Sequence, residues 1–325
     1  MNKVAFSPVF FIIIYLLSAI NPVYSQNNEQ NKKYSFSIGT GFGVLYGQVM
    51  EYVYPVPGDT KGEFLSELIW DMKPVCYVGF NADFGLTDIL SKPGFFSSLA
   101  IKAGIPGFSG KMEDRDWLST VNSDLTCFSS HDNETNRLIW IDFAVGASLP
   151  IKFLYIKPFI GGSWTRFSFT GSNGYGLYSD GYGFPPEVDY SGRKCITYEQ
   201  DWLLLAVGFS IGTNILTPFS FDLSFQISPL TYCASTDNHY YSNGVDYKEF
   251  KDFTSFGLFL EPKCVISFTV KKFKLLLEAS YRYISETKGE SYISYDKGDT
   301  FSLSPNKAGA GLSAMDFQFI TKLTF

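Results

Sequence analysis

Hydrophobic and polar residues alternate with a period of two through most of this chain. In Phe219-Ser-Phe-Asp-Leu-Ser-Phe-Gln-Ile-Ser228 every odd position is large and apolar, and every even position is polar or small. In Phe273-Lys-Leu-Leu-Leu-Glu-Ala-Ser-Tyr-Arg-Tyr283 the odd positions are apolar or aromatic, while Lys274, Glu278, Ser280 and Arg282 share the other face. The pattern is present in Tyr34-Ser-Phe-Ser-Ile-Gly-Thr-Gly-Phe-Gly-Val44. It recurs in Met315-Asp-Phe-Gln-Phe-Ile-Thr-Lys-Leu-Thr-Phe325, up to the last residue. A two-residue period places alternate side chains on opposite faces of an extended strand, so each strand has one greasy face and one wet or small-residue face.

Strands are predicted near 34–54, 63–73, 75–88, 96–110, 137–149, 152–171, 196–214, 218–234, 248–270, 272–286 and 312–325. Reading Leu65 to Leu86 as one long strand kinked at Pro74 leaves ten, an even number as bacterial barrels require. A soluble β-sandwich also alternates. Three features favour a membrane barrel instead. The greasy faces are rich in aromatics, as girdles at a lipid–water boundary are. Charged residues recur on the opposite, lumen-facing side. The connections alternate short (near 150–152, 213–218 and 270–272) with long and polar (near 111–136, 171–194, 235–248 and 286–311). Open strand edges cannot persist in lipid, so the sheet must close. The expectation is an all-β fold: a ten-stranded antiparallel transmembrane β-barrel with long extracellular loops.

Composition agrees. Aromatic residues reach 18%, with 32 Phe and 21 Tyr, while charged residues stop at 18%, below the usual share of about 25% for a soluble domain. A formal charge of −6 without a basic patch excludes nucleic acid as the main partner. Residues 1–25 read as an export signal: Lys3, an apolar run from Val9 to Ile20, and small Val23 and Ser25 before the cut, leaving 26–325 as the barrel. The five cysteines fit no zinc spacing. Cys76 and Cys264 are expected as buried thiols in membrane strands. Export permits disulfides, and the sequence leaves open a bridge between one pair among Cys127, Cys195 and Cys233.

Two acidic pairs carry candidate chemistry. Asp114 and Asp116 are two apart, hence on one face of an extended chain, where two carboxylates orient a water and raise each other's pKa. Asp237 and His239 are also two apart, and a carboxylate beside an imidazole fixes its tautomer and makes it a better base. Facing each other, the pairs form a water-activating site. The plainer reading is that these are ordinary polar loop residues.

Several landmarks, in order, make the chain resemble the omptins, outer-membrane endopeptidases built as ten-stranded barrels. Gly47-Gln-Val-Met-Glu-Tyr-Val-Tyr54 looks like the end of their first strand, and Met112-Glu-Asp-Arg-Asp-Trp117 matches their Asp-x-Asp-Trp motif. Thr126-Cys-Phe-Ser-Ser-His131 with Thr135, then Thr165-Arg-Phe-Ser-Phe-Thr170, match two signatures. Tyr198-Glu-Gln200 resembles a later strand, and Asp237-Asn-His239 matches the catalytic Asp-x-His.

The resemblance implies that His239, supported by Asp237, activates a water that Asp114 and Asp116 hold from the opposite wall. No covalent intermediate, metal or cofactor is implied. Ser129 and His131 are implied near the site, as structural or substrate-positioning residues. Glu51 matches one of two acids that hold a basic substrate side chain before the cut, but the second position is Ser235. Cys127 stands where the signature has an acid. Lipopolysaccharide or another glycolipid is implied as an activator on the outer wall. Arg166 matches one basic contact, but a second basic position is Asp201, which repels phosphate. The expected partners are exposed proteins or peptides and outer-membrane lipid, for a monomer with its site at the cell surface.

One conflict is internal to the sequence. Over 219–228 the odd positions face lipid, and the same parity points Asp237 and His239 outward. A bulge near Pro229 must flip it. Glu51 needs no such repair. The alternative function is a non-proteolytic barrel acting as an adhesin or structural protein. A passive channel ranks lower, because ten-stranded barrels are narrow.

Overall fold

The computed structural model of the protein describes residues 34–86, 93–182, 185–213, 218–241 and 245–325; the export signal expected at 1–25 lies outside them. Among the described residues there is no helix and there are fourteen strands. They are β1 (Tyr34–Tyr54), β2 (Ser66–Leu86), β3 (Gly94–Gly104), β4 (Gly107–Asp116), β5 (Cys127–Ile151), β6 (Leu154–Tyr178) and β7 (Glu187–Asp189). The rest are β8 (Lys194–Thr213), β9 (Phe219–Tyr240), β10 (Tyr247–Ser255), β11 (Phe259–Val270), β12 (Phe273–Ile284), β13 (Lys288–Ser294) and β14 (Ser302–Thr324).

The fourteen reduce to ten staves. Short interruptions divide three staves into β3 and β4, β10 and β11, and β12 and β13, and each half pairs with the same flanking staves. The three-residue β7 is an appendage on β6. The first and last strands pair antiparallel from Ser37↔Thr324 to Tyr54↔Lys307, which closes the ring. The long strand kinked at Pro74 is present as β2, whose register against β1 shifts between Leu45 and Gly47, opposite Lys73 and Pro74.

The greasy faces point outward. Phe42, Phe80, Leu99, Phe143, Ile160, Leu205, Leu223, Leu277 and Phe319 are all exposed on the outer wall, as residues facing lipid must be. Tyr46, Leu203, Tyr232, Phe256, Tyr281 and Met315 mark the upper edge of this belt. The short turns, such as that between Ile151 and Leu154, lie at the other end.

The strands run further than alternation predicts. Much of the sequence expected as long loops is strand: β4, the start of β5, the ends of β6 and β9, β13 and the start of β14. Above the lipid both faces of a strand meet water or polar side chains, so the greasy–polar contrast fades although the hydrogen-bonded ladder continues. The candidate residues expected on loops therefore sit on a rigid sheet.

Inside the belt, charges are matched. Arg282 donates to Glu261 at 2.5 Å, to Ser163 at 2.8 Å and to Asp142 at 3.1 Å, with its guanidinium 3.9 Å above the Trp140 ring. Lys102 and Tyr77 both bond Asp316. Above them lies an aromatic layer: Trp70 stacks on Tyr198 at 5.4 Å and on Phe169 at 5.7 Å, with Trp202 and Phe167 fully buried alongside. The bore is filled at this level, which argues against a passive channel. The two signature stretches at 165–170 and 198–200 supply part of this floor.

Candidate active site

β4 holds the first pair. Its even positions face inward, beginning with Met112, which is fully buried. Asp114 and Asp116 follow on the same face, opposite Leu68 and Ser66 of β2. The Ser66 hydroxyl donates to Asp114 Oδ1 at 3.1 Å. Thr126, from the first signature, fastens the end of the strand: its hydroxyl donates to the Asp116 carbonyl at 2.8 Å and accepts from the Leu118 N–H at 2.9 Å.

β9 holds the second pair, and its parity does flip. Opposite Leu205 and Val207 of β8 the register jumps from Leu230 to Ile227, which leaves Ser228 and Pro229 as the bulge. Below it Phe219, Phe221, Leu223 and Ile227 are exposed to lipid; above it Leu230 and Tyr232 are exposed while Thr231, Cys233, Ser235 and Asp237 are buried. Pro229 suits the place because it has no N–H to leave unpaired. Asp237 is 1% exposed, and its Oδ2 lies 2.5 Å from His239 Nε2. The imidazole packs edge-on to Phe250, with centroids 5.5 Å apart.

The pairs face each other across the mouth, and their electrostatics are coupled. Burial raises the Asp114 carboxyl to about 8, with Asp116 adding to the rise and His239 and Ser66 opposing it. Burial also raises Asp116, against Ser66, His239 and Lys248. For His239, burial alone favours the neutral ring, but the Asp237 carboxylate and its hydrogen bond, with Asp114, raise the imidazole above its ordinary value. The group as a whole holds protons near neutral pH: an imidazole tied to one carboxylate faces a carboxyl pair that sheds its last proton late.

His131 is no surface residue: it is 2% exposed on β5. Its Nδ1 is 2.6 Å from the Asn173 carbonyl and its Nε2 is 3.0 Å from Ser129 Oγ. With Nδ1 protonated towards the carbonyl, Nε2 accepts from the Ser129 hydroxyl, and Ser129 is the cross-strand partner of Asp114. Burial lowers the His131 pKa, so the ring stays neutral. These two residues back the Asp114 wall. All five cysteines are free thiols, so the bridge left open between Cys127, Cys195 and Cys233 is not made. Cys127 is buried opposite Asp116 and Cys233 is buried on β9, while Cys76 and Cys264 are only partly buried.

Glu51 points inward on β1 and is 3% exposed, with Oε2 unpartnered. Burial raises its pKa well above the ordinary value, helped by Asp237, Asp252 and Asp114. Ser235, two residues before Asp237, bonds Asp252 Oδ2 at 3.4 Å. Sequence reasoning missed two residues here. Lys248 pairs with His239, and Asp252 pairs with Ser235, in the register of β9 against β10. Both lie in Tyr247-Lys-Glu-Phe-Lys-Asp252, where polar residues on both faces hide which way each one points. The residue count between the two strands does not fix that register.

Arg166 and Asp201 are cross-strand partners on the outer wall of β6 and β8. The guanidinium donates to both carboxylate oxygens, at 2.8 and 2.6 Å.

The model of the family described as "Omptin family" matches residues 32–321. The chain is 25% identical over 311 residues to "Plasminogen activator" of Yersinia pestis, covering 93% of this chain and 94% of that one. It is 23% identical over 296 residues to "Protease 7" of Escherichia coli O157:H7, with 86% of each chain covered. It is 23% identical over 295 residues to "Outer membrane protease OmpP" of Escherichia coli (strain K12), covering 86% of this chain and 85% of that one. Among solved structures, the outer membrane protease OmpT from Escherichia coli matches with a TM-score of 0.76 at 18% identity, over 92% of this chain and 100% of that one, which establishes the fold.

Proposed function

The chain belongs to the omptin family of outer-membrane proteases, and from that premise we propose that it is an endopeptidase whose water nucleophile is activated by His239 and Asp237. The observation that carries this reading is the convergence of an Asp–Asp pair and an Asp–His pair, far apart in sequence, on one mouth above the membrane belt. Asp237 accepts from His239 Nε2, which leaves Nδ1 as the nitrogen that takes the proton of water. Asp114 and Asp116 hold that water from the other wall. The proton they share near neutral pH hydrogen-bonds the oxyanion as the tetrahedral intermediate forms. The proton on His239 then passes to the leaving amine. No covalent intermediate forms. Ser129 and His131 position the wall that carries Asp114. The substrates are exposed proteins or peptides, met by a monomer at the cell surface. Cleavage next to a basic residue follows from the unpartnered Glu51 carboxylate beneath the site.

Glycolipid is not needed for this activity, on the same reading. The side chain offered to a lipid phosphate, Arg166, is already held by Asp201 through two hydrogen bonds, and the carboxylate repels phosphate.

The test is a quenched peptide library offered to refolded protein, with and without lipopolysaccharide. Wild type is expected to cleave, and His239→Ala to lose about 10²–10⁴-fold in rate. Equal inertness of both proteins in both conditions, with the barrel folded, sinks the proteolytic reading and leaves the adhesin.

A further inference from the structure

We infer that Asp252 and Glu51 together form the floor of the pocket for a Lys or Arg side chain of the substrate, the carboxylate absent at position 235 being supplied from the neighbouring strand. This rests on the proteolytic reading above and assigns a specificity-determining residue to it. Ser235 and Asp252 are direct partners in the register of β9 against β10, so their side chains rise from the same face of the sheet, about 5 Å apart at Cβ. The Ser235 hydroxyl bonds Asp252 Oδ2. An acid moved from one member of such a pair to the other stays in the same pocket.

Asp252 is 4% exposed and its Oδ1 has no partner, as Glu51 is 3% exposed with Oε2 unpartnered. The two arrive from separate staves, β1 and β10, with β13 and β14 between them in the ring, and each lies within the field of Asp237. No Lys or Arg is ion-paired to either among the described residues; the adjacent Lys251 points away and pairs with Glu249 at 3.3 Å. Elsewhere in this bore, buried carboxylates have a cation in contact, such as Arg282 on Glu261 or Lys102 on Asp316. A buried carboxylate without a counter-charge is costly to keep. Two of them beside a peptidase site are explained by a cation that arrives with the substrate. Tyr198 lies in the field of both: its hydroxyl accepts from Gln200 Nε2, which also reaches across the bore to the Met50 carbonyl at 3.2 Å.

The experiment compares two peptides identical except for Arg or its neutral isostere citrulline before the cut. Wild type is expected to favour Arg, and Asp252→Asn to lower the Arg-to-citrulline ratio of kcat/KM by about tenfold or more, mainly through KM. The exchange Ser235→Asp with Asp252→Ser is expected to restore the ratio, which a merely structural role for Asp252 does not predict. The inference is overturned if wild type shows no Arg preference, or if Asp252→Asn keeps it to within about twofold. Binding of both peptides to His239→Ala, read by calorimetry, tests the pocket without hydrolysis. Loss of the Arg preference there on adding Asp252→Asn supports the pocket even if the proteolytic reading fails. An unchanged preference overturns it.

Discussion

Below the girdle, Asp142, Glu261, Glu278 and Asp316 each touch Arg282, Lys263 or Lys102. Above it, Glu51, Asp114, Asp116, Asp237 and Asp252 meet hydroxyls, one imidazole and one another's fields, with Lys248 acting through space. Both sets face the interior of one barrel, a few strand residues apart, and both mix buried with half-buried carboxylates, so location does not explain the contrast. The lower set is balanced within the protein and holds the staves together across the bore. The upper set has no Lys or Arg ion pair among the described residues, and on the proposed function a water, a proton and a basic side chain of the substrate complete it. On the proposed function, stability is concentrated in one half and chemistry in the other, at the expense of some stability in the second.

The largest effect is expected where a balanced charge is removed. Arg282→Met takes the only ion-pair partner of half-buried Asp142 and the nearer of two from buried Glu261, which keeps Lys263 at 3.7 Å, costing about 3–5 kcal/mol. The midpoint of urea unfolding in detergent checks this, and an unchanged midpoint erases the distinction between the halves.

Next is the pH dependence of hydrolysis in the upper half. His239 acts as a base only when neutral, and its pKa is raised, so the rate is expected to rise with pH through a value above the ordinary imidazole range. The shared proton of the Asp114 pair is lost near 8, so the rate falls again on the alkaline side. Asp237→Asn removes the largest cause of the upward shift and moves the acid limb to lower pH. An acid limb that stays in place assigns it to another group.

Smaller, and opposite in sign to Arg282→Met, is Glu51→Gln, expected to stabilise the barrel by about 1–2 kcal/mol while weakening activity. The pH dependence of this gain is diagnostic. The folded pKa of Glu51 lies above the unfolded value of 4.5, so the folded state keeps a proton that the unfolded state releases. Native stability therefore falls as pH rises above the unfolded value, and the gain from Gln grows with it. Unfolding midpoints at pH 5 and pH 8 measure this, and a gain that is larger at pH 5 contradicts it.

The smallest effect is on the outer wall. Asp201→Asn frees Arg166 from a pair that is one-third exposed and worth no more than about 1 kcal/mol. Wild-type activity is expected not to respond to lipopolysaccharide, and Asp201→Asn to gain a response, read by the peptide assay with the lipid titrated in.

The barrel and most of its candidate site were legible in the chain by itself. Alternation at 219–228, 273–283 and 315–325 is a local property, set by which side of each residue meets lipid, and it specified the staves without their partners. Asp114, Asp116, Asp237 and His239 stood out as acids and a rare histidine at two-residue spacings, Glu51 came only with the omptin resemblance, and the parity conflict on β9 located the bulge at Pro229. Tertiary structure decided what depends on register between strands. It continued β4, β5, β9 and β14 as sheet where polarity on both faces had erased the alternation. It buried His131 behind Ser129, closed Arg166 onto Asp201, and set Lys248 opposite His239 and Asp252 opposite Ser235. The physical reason is the same in each case. A side chain's face follows from its own parity along the strand, whereas its neighbour across the ladder follows from bulges and loop closures that the linear pattern does not encode.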